Sequence, residues 1–332
     1  MAVAALAACS KSEVAYEQPD AIGFQVVTGK MTKASVADNV YPKYLNMYVF
    51  AMTDNRGVAN KTADYLKNAE FAKVLVSDGQ NLWGGWLDVA AYPYYWPNVK
   101  KLFFAGVSKS GNVNVENGPV PAYNDGTITI DGYQPGVGTT ALGDNDLMWF
   151  PTTDESYGKG TVSVPVLMKH ACSWITVKMA GDDWTAGRYT ITDIHIEGLT
   201  TKGKVELAEA ADWTLSTIAA DKNQTYSVYS NTTGKTLSTT ATAEGFETIA
   251  NNTIVLPEQV PGTLSITYHF TSQAGEKIEE TVTGSLKFDG DATWVAGTHY
   301  TYNVTITASQ ILIAPTVAAW DTPANDTTVQ VK

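Results

Sequence analysis

The chain has 332 residues, 44% of them hydrophobic, with 22 basic against 34 acidic side chains and a formal net charge of −12. Its length favours two domains over one, and its apolar content suffices for real cores. The negative balance argues against phosphate backbones and acidic lipid surfaces, so nucleic acid is not expected as a partner. No apolar run approaches the ~20 residues needed to span a bilayer.

Near the start, Leu6-Ala7-Ala8-Cys9-Ser10 has the pattern of a bacterial lipoprotein signal. The small residues suit a signal-peptidase cleft, and the thiol of Cys9 becomes the attachment point for lipid. Residues 1–9 are therefore expected to be a signal, leaving a protein anchored by acyl chains such as palmitate. The other cysteine, Cys172, lies in Ala171-Cys172-Ser173-Trp174-Ile175 and reads as a small core residue rather than a disulfide partner of Cys9.

Residues 10–20 form a polar tether, and residues 22–28 then alternate as a strand with Ile22, Phe24 and Val26 on one face. A loop follows, carrying Lys30 and Lys33. Residues 44–52 predict a strand, Asn55-Arg56-Gly57 a turn, and the spacing of Val58, Thr62, Tyr65, Leu66 and Ala69 a short helix over 58–73. The aromatic stretch that follows has two readings. Trp83, Trp86 and Tyr92 would serve as stacking platforms for sugar rings, or else as core, where large aromatic rings dominate packing. Residues 100–107 predict another strand, and 108–146 a loop-rich stretch with a small strand at 127–130.

The polar, glycine-bearing stretch 152–160 is the best boundary, dividing the chain into an N-terminal domain, 10–159, and a C-terminal domain, 160–332. Beyond it the signal is purely β, with strands expected at 161–169, 174–179, 188–197, 225–229, 253–256, 263–270, 279–288, 299–307 and 311–317. Short strands between Gly, Asn and Asp turns imply an all-β protein of antiparallel β-sandwiches. Trp96, Phe104, Trp174, Ile191, Tyr302 and Ile306 are expected in the cores.

Catalytic chemistry is missing from this pattern. The four histidines are scattered. His195 and Glu197 share a strand face but fall short of the three or four ligands that zinc needs. Gly143-Asp144-Asn145-Asp146 lacks the ligand-spaced glutamate of a calcium loop. No nucleophile elbow, phosphate-binding loop or dinucleotide fingerprint occurs. Neither an enzyme, a metal site nor a cofactor is expected.

Several segments together resemble the fimbrillin family, the subunits of type V pili. Tyr94-Tyr95-Trp96-Pro97 followed by Leu102-Phe103-Phe104-Ala105 is similar to a signature of the family's N-terminal domain. Val164-Pro165-Val166-Leu167-Met168-Lys169-His170, leading into Trp174-Ile175-Thr176-Val177, resembles the opening of its second domain. Tyr189-Thr190-Ile191-Thr192-Asp193-Ile194-His195-Ile196 resembles one of its strands, and Trp294-Val295-Ala296-Gly297-Thr298-His299-Tyr300-Thr301-Tyr302, ending at Trp320, its closing pattern.

The resemblance implies two transthyretin-like antiparallel β-sandwich domains in tandem and a lipoprotein precursor held at the outer membrane before assembly into a cell-surface fimbrium. It also implies cleavage after a basic residue in the loop following the first strand. Lys33 is the position that best matches, with Lys30 second. Removing the strand would open a groove lined where Ile22, Phe24 and Val26 had been. A donor strand from the next subunit would fill it, with Ile311 and Ile313, or Val329 and Val331 beyond Trp320, as candidate donor residues. The partners would be other pilus subunits and a glycan or protein receptor on a host or bacterial surface. The competing reading is a monomeric surface glycan-binding lipoprotein that uses Trp83, Trp86 and Tyr92.

Overall fold

The structure is a computed structural model that describes residues 21–28, 46–75, 81–84, 94–136, 146–161, 163–181, 187–238, 245–272, 274–288, 292–307, 311–320 and 329–330. Twenty strands occur among these residues. The first half contributes β1 (Gly23–Thr28), β2 (Met47–Thr53), β3 (Leu66–Leu75), β4 (Asn81–Gly84) and β5 (Leu102–Ser108). After these come β6 (Ala122–Asn124), β7 (Thr127–Tyr133), β8 (Met148–Phe150), β9 (Val164–His170) and β10 (Ser173–Gly181). The chain continues with β11 (Tyr189–Leu199), β12 (Gly203–Leu207), β13 (Ala211–Leu215), β14 (Gln224–Thr236) and β15 (Glu247–Val255). It ends with β16 (Thr263–Thr271), β17 (Lys277–Ser285), β18 (Thr298–Ile306), β19 (Ile311–Ala319) and β20 (Val329–Gln330). The all-β class is as the sequence predicts.

Seven strands close a barrel in the order β1-β4-β3-β2-β5-β8-β9. β2 and β5 are continuous apolar runs, buried at every position, because both of their faces are covered. Val49, Phe71, Phe104, Phe150 and Val166 pack inside with Phe24. The remaining strands form a five-stranded sheet (β15-β10-β18-β19-β20) and a four-stranded sheet (β14-β11-β16-β17), whose facing side chains make a second core around Ile191, Ile266, Trp294 and Tyr302. A further sheet, β13-β12-β7-β6, joins strands from both halves. The boundary expected at 159/160 falls between β8 and β9, which pair in the same barrel (Met148↔His170, Trp149↔Lys169).

β18 follows its predicted alternation, with Tyr300, Tyr302, Val304 and Ile306 buried. Before it, Gly297 at φ 67 reverses the chain in a conformation that strains residues bearing a Cβ. That turn lets the Trp294 indole donate to the Tyr302 hydroxyl at 2.9 Å and the Val295 amide to the Tyr300 hydroxyl at 2.9 Å.

Two expectations need correction. The helix predicted over 58–73 does not form; residues 66–75 are β3, paired with β2 through Met47↔Phe71, Val49↔Ala69 and Ala51↔Leu66. The register shifts between the last two pairs, where Asn68 takes φ 52. The extra residue of this bulge places buried Leu66 and Ala69 three apart, which imitates a helical period. Trp174, expected in the core, is only half-buried. Its neighbours Ile175 and Val177 face the sandwich core, while its own ring stacks on His299 at 3.6 Å and its indole donates to the Asn251 carbonyl at 2.6 Å.

Candidate functional site

β1 is held on both sides. It pairs antiparallel with β4 (Gly23↔Gly84, Phe24↔Trp83, Gln25↔Leu82) and parallel with β9, from Phe24↔Val164 through Val26↔Val166 to Thr28↔Met168. Just ahead of it, the Ile22 amide donates to the Tyr94 carbonyl at 2.7 Å, and Ala21 bridges to Tyr95. The strand closes the barrel, and its backbone groups have partners on two neighbours.

Its side chains fill the centre. Ile22 and Phe24 are fully buried. The Phe24 ring meets Phe71 edge-on at 5.1 Å, Phe104 edge-on at 5.2 Å and Phe150 at 6.1 Å, arrangements favoured by the quadrupole of aromatic rings. Trp96 lies edge-on to Phe104 at 5.7 Å, and Tyr94 stands 5.2 Å from Phe71. β9 alternates Val164, Val166 and Met168 inward. Lifting β1 away would leave an apolar trough between β4 and β9, with a row of unpaired backbone groups on each rim.

A polar network lies at the entry to β2, next to Asn46. Glu70 Oε1 accepts from the Asn46 side-chain amide at 2.6 Å and from Lys109 Nζ at 3.1 Å. Burial pulls the Lys109 ammonium down, but the hydrogen bond and charge of Glu70 outweigh it and leave its pKa raised.

Of the sequence-predicted residues, Ile22 and Phe24 thus come together in one core, and the Val26 backbone joins them in register with β9. Cys9, Lys30, Lys33, Trp86, Tyr92 and Val331 lie outside the described residues. Trp83 is placed by its backbone only, in β4 opposite Phe24 and Lys73. Val329 is likewise placed by its backbone, in β20 opposite Val317. Ile311 and Ile313 sit in β19, opposite Ile306 and Val304 of β18, and pack on the sandwich core of their own chain.

Sequence reading found β9 as a strand but missed β4 and the parallel pairing of β1 with β9. Nothing local announces that residues 24–28 will lie beside 164–168, since the partners are far apart in sequence. Phe71 was missed because β3 was read as helix.

Among the described residues no group of three His, Cys, Asp or Glu could hold a metal ion, and no helix is long and apolar enough to cross a membrane. Cys172 is a free, fully buried thiol whose pKa is pushed up by burial and by the nearby charge of Asp146, in keeping with a core role. His195 pairs with Asp193 at 2.6 Å rather than with Glu197.

A family model described as fimbrillin-like matches residues 32–320. No curated protein matches the sequence. Among solved structures, a fimbrial protein from Bacteroides vulgatus aligns with a TM-score of 0.58 at 14% identity, over 91% of this chain and 99% of that one. A candidate cell adhesion protein from Bacteroides uniformis aligns with a TM-score of 0.56 at 14% identity, over 90% of this chain and 99% of that one. At such identities the likeness concerns the fold.

Proposed function

This chain belongs to the fimbrillin-like family, and from that membership we propose that it is a structural or tip subunit of a type V pilus, assembled by strand exchange with other pilus subunits. In this reading the precursor is anchored in the outer membrane by lipid on Cys9. Cleavage after Lys33, or else Lys30, then frees β1, and the subunit takes its place in a cell-surface fimbrium that mediates adhesion.

The observation that carries the reading is the position of β1. It is the first described strand of the barrel, it precedes Lys30 and Lys33 in sequence, and it fills the core while bonding to two neighbours. Its departure would expose apolar surface and strand edges together, a state that strongly favours capture of another strand. Ile311 and Ile313 are engaged by β18 along the whole of β19. We therefore assign the donor role to the terminal segment carrying Val329 and Val331, which alternate in the same way as Ile22, Phe24 and Val26. Among the described residues β20 pairs with β19 through Thr316↔Gln330 and Val317↔Val329.

Limited trypsin treatment of the full chain tests this proposal. The expected result is a remainder beginning at Ala34 that forms ladders on a gel, blocked by Lys30→Ala with Lys33→Ala. Cleaved protein that stays monomeric at high concentration would overturn the assembly reading.

A further inference from the structure

Two hairpins leave their own sheets and meet each other. Between β5 and β8, neighbours in the barrel, the chain runs out into β6 and β7. Between β11 and β14, neighbours in the sandwich, it runs out into β12 and β13. β7 and β12 then pair antiparallel through Ile130↔Val205, Thr129↔Glu206 and Ile128↔Leu207.

The inward side chains of this joint sheet share a core with Tyr48, Phe50 and Phe103, which lie on the outer face of β2 and β5. The inner face of the same two strands carries Met47, Val49 and Phe104 and packs with Phe24. β2 and β5 are therefore set between two cores, and the described side chains of Ile22 and Phe24 belong to the inner one.

The same hairpin also grips the wall of the trough. The turn between β12 and β13 accepts two hydrogen bonds, from the Trp149 indole of β8 to the Ala208 carbonyl at 2.9 Å and from Lys169 Nζ of β9 to the Glu209 carbonyl at 2.7 Å. Trp213 of β13 donates to the carbonyl of Ala171, immediately after β9, at 2.7 Å.

We propose that this four-stranded sheet is a brace that holds the barrel open after β1 has left, so that a cleaved subunit waits with its groove formed instead of collapsing. The proposal rests on the strand-exchange reading above. Without β1 the inner core loses Ile22 and Phe24, and β9 loses one of its two neighbours. Among the described residues, the outer core and the three hydrogen bonds to β8, β9 and Ala171 involve none from β1. They remain to keep β2, β5, β8 and β9 at their spacing. A preformed acceptor captures a strand with less ordering cost than one that must refold around it.

The test uses the full chain, cleaved after Lys33, and a fluorescent synthetic peptide of residues 21–28 as the incoming strand. The wild type should capture the peptide. Leu207→Ala, which removes packing from the outer core, should melt as a folded protein before cleavage yet capture about tenfold less peptide afterwards. Thr129→Cys with Glu206→Cys supplies the opposite change. The two positions are direct cross-strand partners that face away from the core, and such antiparallel pairs suit a disulfide. The oxidised form should stay competent for capture longer than the reduced form, and it gives the answer even if Leu207→Ala fails to fold. Equal capture by all three proteins would overturn the brace while leaving strand exchange intact. Failure of the cleaved wild type to capture the peptide would overturn both.

Discussion

At the scale of single residues, Phe24 and His299 carry the sharpest consequences. Phe24 is fully buried among three other rings, so Phe24→Ala leaves a large cavity in the barrel. The expected loss is about 3–5 kcal/mol, read as a shift in the urea midpoint of the uncleaved protein. A much smaller loss would mean that β1 does not hold the barrel together. His299 lies against Trp174 with its Nε2 2.8 Å from the Thr176 hydroxyl oxygen. Burial, with a smaller contribution from Lys178, pulls its pKa down from 6.5 to about 4. The folded state therefore prefers the neutral ring. The stability it contributes is fully present above pH 6.5 and is lost as the pH falls towards about 4, where the unfolded chain takes up a proton that the fold resists. Replacing it by Gln should flatten the fall in melting temperature between pH 7 and pH 4 relative to wild type. An unchanged slope would show that the ring is not the titrating group.

At the scale of elements, bulges shape the sandwich much as they shape β3. The pairing of β11 with β14 moves from Ile191↔Lys235 to Asp193↔Ser230, so β14 carries extra residues opposite Thr192. Gly234 sits in that irregularity at φ 75, and a Cβ there would come within 2.4 Å of Thr190 and 3.0 Å of the Ile191 carbonyl. Gly234→Ala should cost about 1–3 kcal/mol from backbone strain alone, with more from the clash. Hydrogen exchange should localise the loosening to β11 and β14. Uniform protection across the variant would argue that the bulge absorbs a side chain freely.

At the scale of the whole molecule, the barrel is completed by β9 and braced by β12 and β13, all from beyond residue 159. A fragment of residues 46–159 lacks these strands as well as β1, and it should show no cooperative melting. The same fragment with a folded, two-state transition would mean that the first half is autonomous.

Much of this organisation was legible in the sequence, for a physical reason. Alternation along β1 and β18, continuous apolar runs in β2 and β5, and the turn at Gly297 are local patterns, written by the period of the strand and the steric freedom of glycine. They determined the all-β class, most strand positions, and the burial of Ile22, Phe24, Trp96, Ile191 and Tyr302. Local pattern also misled where a bulge changed the count, at Leu66 and Ala69, while Trp174 settled half-buried at the edge of the outer core rather than inside it. The partners of each strand were decided only by the tertiary structure. The parallel seating of β1 on β9 and the seam between β7 and β12 each join residues 70 or more positions apart. Such pairings are chosen by which faces and edges remain to be covered once the chain has collapsed, and no local pattern encodes that.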